Sequence, residues 1–305
     1  MIVPHVFYFC AATLKKSLVK KYLSLIKFSH TIFALPFALV GYFLAVENTG
    51  KNLNLKILFC ILGCMVFARS AAMAFNRYLD RDIDAKNPRT AIREIPAGAI
   101  LPQSALIFII LNCILFIATT YFINNLCFLL SPVALAVVLG YSYTKRFTWL
   151  CHFVLGLGLS LAPLGAYLAV TGVFASIPIG YAMIVLLWVS GFDIIYALQD
   201  EDFDRSMQLN SVPVLMGKKG AFQISNILHF FCAFILIFVA YHINQHSQTF
   251  GILHWIGVII FIGLLIYQHT LVKINDLSKI NLAFFTTNGI ASVIYGSCFI
   301  IDFFL

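Results

Sequence analysis

Charge is what this 305-residue sequence has least of: 20 Lys and Arg and 12 Asp and Glu amount to 10% of the chain, against 61% apolar residues. A soluble domain of this size carries about 25% charged residues to wet its surface. With a mean hydropathy of +0.95, the chain is expected to be an integral membrane protein rather than a soluble globule. The net charge of +8 is not arranged as a nucleic-acid surface, since no basic stripe interleaved with aromatics lies outside the apolar runs. No CxxC pair occurs among the eight cysteines, and most lie in apolar segments, so they are read as buried thiols rather than a disulfide framework or a metal site. Cys60 and Cys64 share a helix face and are read as core. No positive charge precedes the first apolar stretch, HVFYFCAATL; Lys15, Lys16, Lys20, Lys21 and Lys27 follow it, the reverse of a secretory signal. Residues 1–27 are therefore expected to form a basic amphipathic segment on the membrane.

What is present in abundance is long hydrophobic runs without period-2 alternation. About nine of them fall near 31–46, 55–75, 106–123, 126–143, 153–170, 177–198, 224–241, 252–268 and 282–305. In a bilayer such runs are helices, because the backbone must satisfy its own hydrogen bonds. The expected fold is all-α: a single polytopic membrane domain, 1–305, with about nine transmembrane helices around a central cavity. With the N-terminus inside, every second link is basic, whereas the links near Asn124, Thr171 and His242 carry no Lys or Arg. This alternation obeys the positive-inside rule and predicts a cytoplasmic N-terminus and cytoplasmic active-site loops, with a bacterial inner membrane as the expected location. His242, His246 and His254 fall on the opposite side and are read as interfacial.

Acidic residues are concentrated where an apolar helix emerges on the cytoplasmic side. One window holds Asp80, Asp82, Asp84 and Glu94; the other holds Asp193, Asp200, Glu201, Asp202 and Asp204. Only Glu47, Asp276 and Asp302 lie elsewhere. Asn76, Asp80 and Asp84 are spaced i, i+4, i+8, which on a helix places them on one face; Tyr196, Asp200 and Asp204 repeat the pattern, with Asp193 on the same side. Carboxylates stacked in this way repel one another and call for a cation between them. Hard oxygen ligands suit Mg²⁺, which usually takes one or two carboxylates, several waters and substrate phosphate oxygens. Two such helices facing each other would hold a Mg²⁺-bridged diphosphate. Asp82, Glu201 and Asp202 lie off this face and are expected to be solvated or paired with Arg81 and Arg205.

Arg69 lies seven residues before Asn76, and Asp193 seven before Asp200, each about two turns, roughly 10 Å, deeper. An arginine at that depth needs a partner or an anionic ligand. Either Arg69 and Asp193 flank a small polar substrate below the diphosphate, or they pair with each other. Segments 76–101 and 199–220 are expected to cap the cavity. Their Arg89, Thr90 and Arg93, with Lys145 and Arg146 at another cytoplasmic helix end, either clamp phosphate oxygens or only set topology.

The motifs NxxxDxxxD at Asn76–Asp84, NPRT, IPAG and YxxxDxxxD at Tyr196–Asp204, with TKR at 144–146, resemble the UbiA family of intramembrane aromatic prenyltransferases over nearly the whole chain. The resemblance implies Mg²⁺-dependent transfer of a polyprenyl group from polyprenyl diphosphate to an aromatic acid, in respiratory quinone biosynthesis. It implies Asn76, Asp80, Asp84, Asp200 and Asp204 as the metal–diphosphate residues, and Arg69 stands where members often carry an arginine. In the first span KFSHTIFALPFA departs from a pattern like RLDKPIG, with Lys27, Ser29 and His30 replacing arginine, aspartate and lysine. This form resembles a subgroup labelled 4-hydroxybenzoate polyprenyltransferase, with a dihydroxynaphthoate for menaquinone as the alternative acceptor. Arg69 is the candidate for the acceptor's carboxylate, Asp193 for its phenol or a proton, and Tyr196 for a substrate hydrogen bond or plain packing. No nucleic acid and no protein partner are implied. A cation-coupled transporter stays open as another class, although carboxylates at the rim beside basic loops suit an anionic headgroup better than a transport path. The DGxxAR signature of CDP-alcohol phosphotransferases is missing.

Overall fold

The computed structural model describes residues 20–26, 33–247, 249–274 and 276–305. The expectation for 1–27 falls largely outside them, as do Lys27, Ser29 and His30 of the first span. Among the described residues every long element is helical: α1 (Leu35–Thr49), α2 (Leu55–Leu79), α3 (Pro102–Tyr121), α4 (Asn125–Thr144), α5 (Cys151–Thr171), α6 (Ser176–Ala197), α7 (Val212–His246), α8 (Ile252–Leu271) and α9 (Leu282–Phe304). Eight are long and apolar enough to cross a membrane, and α1 is a shorter apolar helix.

Helix ends follow local chemistry. Pro36 and Pro102 open α1 and α3, where their missing N–H costs nothing. Asn54, Asn124 and Ser211 cap α2, α4 and α7 by accepting from the backbone N–H of Ile57, Cys127 and Val214. Gly50 and Gly172 close α1 and α5 at φ of 59° and 69°. α7 extends well beyond the expected 224–241, because a hydropathy window detects the hydrocarbon part of a helix and not its polar ends. Its first turns are set off by Gly217, at φ 68° and ψ 174°. The opening turns of α9, Leu282–Thr287, are π-helical, and Asn288 Nδ2 donates to the carbonyls of Ala283 and Phe284, both at 3.0 Å.

The core lies where α1, α5, α6, α8 and α9 meet, around Phe37, Tyr42, Tyr181, Trp188, Phe261, Tyr295 and Phe299. Outward faces carry exposed side chains such as Phe59, Ile107, Leu129 and Phe230, as a lipid-facing surface requires. Two polar pairs sit inside the bundle: Trp188 Nε1 donates to Asn288 Oδ1 at 2.9 Å, and the Tyr181 and Tyr295 hydroxyls lie 2.7 Å apart. The acids outside the two windows tie links together. Glu47 accepts from the hydroxyls of Ser247 and Thr249, Asp302 accepts from the N–H groups of Gly251 and His254 at the start of α8, and Asp276 accepts from Ser278 N.

α1 and α5 approach closely because Gly41 presents no side chain: a Cβ there would overlap the carbonyl oxygen of Pro163. Gly41→Val is expected to cost about 1–3 kcal/mol through forced separation of these helices. A lower thermal midpoint of the protein in detergent checks it.

Candidate functional site

Both aspartate motifs reach one polar cavity of about 670 Å³ at one end of the bundle. Neither motif is a single unbroken helix. α2 stops at Leu79, Asp80 takes φ −89° and ψ 6°, and a separate turn spans Arg81–Asp84. In the second motif α6 stops at Ala197, a 3₁₀ turn covers Leu198–Asp200, Asp200 takes φ −107° and ψ 2°, and a new turn spans Glu201–Ser206. Each helix therefore breaks at its middle aspartate, where the one-face reading assumed continuity. Such a break relieves the repulsion of carboxylates stacked along one helix.

Each motif carboxylate on the wall is held by a cation, with one exception. Asp80 is 1% exposed; Lys145 Nζ meets its Oδ2 at 2.9 Å, Arg146 meets its Oδ1 at 2.8 Å, and Asn76 Nδ2 donates to Oδ2 at 3.2 Å. Arg146 is absent from the cavity wall and reaches Asp80 from behind, also donating to the Leu79 and Ser142 carbonyls. Arg93 donates to both oxygens of Asp84 at 2.8 Å. Arg89 grips Asp200 with Nε and a terminal nitrogen, and Asn87 Nδ2 donates to Asp200 at 3.4 Å. Burial opposes the charge on Arg89, yet its hydrogen bonds and attraction to Asp200 hold its pKa above the ordinary guanidinium value. The loop after the first motif is thus fastened to the end of α6. Asp204 enters no salt bridge among the described residues.

The Tyr196 hydroxyl lies 3.4 Å from an Arg89 nitrogen, and its ring packs on Phe284 with centroids 4.0 Å apart. Away from the cavity, Glu201 pairs with Arg205 at 3.0 Å and Asp82 approaches Arg81 at 3.9 Å.

Deeper in the cavity, Arg69 and Asp193 do not pair. Asp193 Oδ2 lies 2.7 Å from His152 Nδ1, a partner with no counterpart in the motif reading. Among the described residues Arg69 enters no salt bridge, and its Nε is buried without a hydrogen-bond partner. An adjoining apolar cavity of about 370 Å³ runs between α2, α4 and α5 and shares Arg69, Met73, Tyr141, Leu155 and Leu159 with the polar one. His242, His246 and His254 line neither cavity.

Among the described residues, Asp204 at the rim and Arg69 at depth enter no salt bridge, while Asp193 meets the His152 imidazole. Among the described residues no three His, Cys, Asp or Glu side chains converge as a closed metal cage. Asp80, Asp84, Asp200 and Asp204 instead place hard carboxylate oxygens on the cavity wall, a donor set that fits Mg²⁺, which keeps waters and shares carboxylates with substrate phosphates.

Residues 34–290 match the UbiA prenyltransferase family. The chain belongs to that family. Among solved structures, a UbiA homolog from Aeropyrum pernix K1 in its apo form superimposes with a TM-score of 0.79 at 31% identity, covering 90% of this chain and 98% of that one. A UbiA homolog from Archaeoglobus fulgidus bound to GPP and Mg²⁺ has a TM-score of 0.72 at 21% identity, over 93% of this chain and all of that one, and shares the fold. The 4-hydroxybenzoate octaprenyltransferase of Aliivibrio fischeri (strain MJ11) is 34% identical over 160 residues, 52% of this chain and 55% of the relative. In that match the chain spans about half the length of the curated relative. The enzyme of that name from Serratia proteamaculans (strain 568) is 29% identical over 210 residues, 68% of this chain and 71% of the relative. The UbiA-family fold thus agrees with the all-helical expectation and with an integral membrane protein.

Proposed function

We propose that this UbiA-family protein transfers a polyprenyl group from its diphosphate to the ring of an aromatic acid, with 4-hydroxybenzoate as the acceptor favoured by the names of its relatives. The observation that carries this reading is the cavity itself: two aspartate motifs at the rim, an arginine at depth with no ion-pair partner among the described residues, and an apolar cavity opening beside that arginine. An anionic headgroup, a carboxylate and a hydrocarbon chain each find a matching surface. A transport path would give no reason for the apolar branch.

Asn76, Asp80, Asp84, Asp200 and Asp204 would hold Mg²⁺, which supplies charge to offset the departing diphosphate. Arg93 and Lys145 line the cavity beside their carboxylates, within reach of phosphate oxygens, and Arg146 supports Asp80 from behind. Arg69 takes the acceptor's carboxylate, Asp193 its hydroxyl, and Tyr196 hydrogen-bonds at the rim. The prenyl chain lies in the apolar cavity, whose walls keep water from the allylic carbon. Segments 76–101 and 199–220 act as the cap, on the cytoplasmic side of a bacterial inner membrane.

The test is diphosphate release by the protein in lipid nanodiscs given a polyprenyl diphosphate and 4-hydroxybenzoate, with a dihydroxynaphthoate in competition and products read by mass spectrometry. Release that requires Mg²⁺ and yields a prenylated ring is expected. No release with either acceptor rejects the reading, and a prenylated naphthoate alone reassigns the acceptor.

A further inference from the structure

His152 is the polar residue near the site that the aspartate motifs do not account for. It is the second residue of α5, is 3% exposed, and borders the polar cavity. Both ring nitrogens are engaged. Nε2 accepts from the backbone N–H of Val212, the first residue of α7, at 3.4 Å. Nδ1 lies 2.7 Å from Asp193 Oδ2, and because a carboxylate oxygen only accepts, the proton between them is donated by Nδ1. The His152 carbonyl in turn accepts from Ser190 Oγ on α6 at 3.2 Å. One imidazole therefore links α5, α6 and α7, with its ring held at both nitrogens and its backbone tied to α6.

The consequence falls on Asp193. Its side chain is 21% exposed and lines the cavity, with Oδ2 taken by His152. Its other oxygen, Oδ1, accepts no hydrogen bond among the described residues. A carboxylate free to turn about its last torsion has no preferred direction, because such torsions are broad. Pinning one oxygen gives the other a direction.

We infer that His152 is a positioning residue for the aromatic acceptor: it fixes Asp193 so that Oδ1 accepts the hydrogen bond of the acceptor's ring hydroxyl. The inference rests on the transfer reading above and adds a recognition rule to it. The acceptor class is a hydroxyarene carboxylate, and the hydroxyl is read through Asp193 while the carboxylate is read elsewhere in the cavity. In the reaction the allylic C–O bond breaks with its electron pair going to diphosphate, and a ring π pair forms the new C–C bond ortho to the hydroxyl. The hydroxyl proton passes to Asp193 Oδ1, leaving a neutral dienone. The dienone regains aromaticity as its ring proton moves to the oxygen, and Asp193 gives up its proton to the released diphosphate.

A site built to bond a hydroxyl discriminates against the analogue that lacks it. The experiment compares binding of 4-hydroxybenzoate and benzoate to the full chain in nanodiscs by calorimetry, in wild type, His152→Phe, His152→Gln and Asp193→Asn. Wild type should prefer 4-hydroxybenzoate by about tenfold or more, the weight of one hydrogen bond to a charged group. His152→Phe should lose that preference and keep its benzoate affinity. His152→Gln, whose amide can donate to Asp193, should recover most of it, whereas Asp193→Asn should not keep the full preference. A purely structural role for His152 would weaken both ligands together, and that result overturns the inference. So does a wild type that binds both equally, or a His152→Phe that keeps the preference. If His152→Phe does not fold, Asp193→Asn and His152→Gln decide: retention of the full preference in Asp193→Asn, or its complete loss in His152→Gln, overturns the inference. Failure of the transfer reading registers separately, as absence of diphosphate release from wild type.

Discussion

Asp204→Asn is expected to lower diphosphate release by about 10²–10³-fold, the scale on which preorganised charge stabilisation acts at such sites, while leaving the thermal midpoint unchanged or slightly raised. The separation of the two readouts comes from the geometry. Asp80, Asp84 and Asp200 each hold a cation, so their replacement would also strand Lys145, Arg146, Arg93 or Arg89 beside a neutral amide. Asp204 has no ion-pair partner among the described residues, so its neutralisation breaks no protein contact of that kind. A loss of turnover in a protein that melts like wild type therefore reports a missing metal ligand. Full turnover in Asp204→Asn would remove this residue from the metal set. Measuring the Mg²⁺ concentration for half-maximal release in the same variant gives a second check, since a lost ligand should move it upward.

The helical count, the two acidic windows and their convergence on one cavity were legible in the sequence because each has a one-dimensional signature. Hydrophobic length reports a span, and four-residue spacing reports a shared face. The break at Asp80 and Asp200 was not legible, since the spacing of the carboxylates is the same whether the helix runs on or restarts. The ends of α7 were missed for a related reason: Lys218 and Lys219 lower the local hydropathy without ending the helix, and Gly217 interrupts it from within. His152 lay beyond motif reasoning altogether. In the sequence it is a lone histidine at the start of an apolar run, and only the packing of α5 against α6 makes it a partner of Asp193. That same contact takes Asp193 away from Arg69 and so removes the reading in which the two pair with each other. With Asp193 committed to His152, the arginine has no counter-ion among the described residues.

Arg69→Met should consequently separate stability from function in the opposite way to a structural ion pair. An unpartnered charge at membrane depth is a cost to the folded protein, so the methionine variant is expected to melt at a higher temperature than wild type. If Arg69 receives the acceptor's carboxylate, the same variant should raise the KM for 4-hydroxybenzoate by about 10- to 100-fold, the equivalent of one or two hydrogen bonds to a charged group. Its affinity for the prenyl diphosphate should change little, because the rim that would hold the headgroup lies about two helical turns away, roughly 10 Å. Initial-rate kinetics with each substrate varied in turn, together with a melting curve, give all three quantities. An unchanged acceptor KM would leave the guanidinium without a substrate role, and a fall in melting temperature would mean that Arg69 is held by interactions beyond those its surroundings display. The two outcomes are independent, since one is read in the presence of substrate and the other in its absence. A charge retained against its own cost to the fold is the pattern expected of a binding residue, and these measurements ask whether Arg69 follows it.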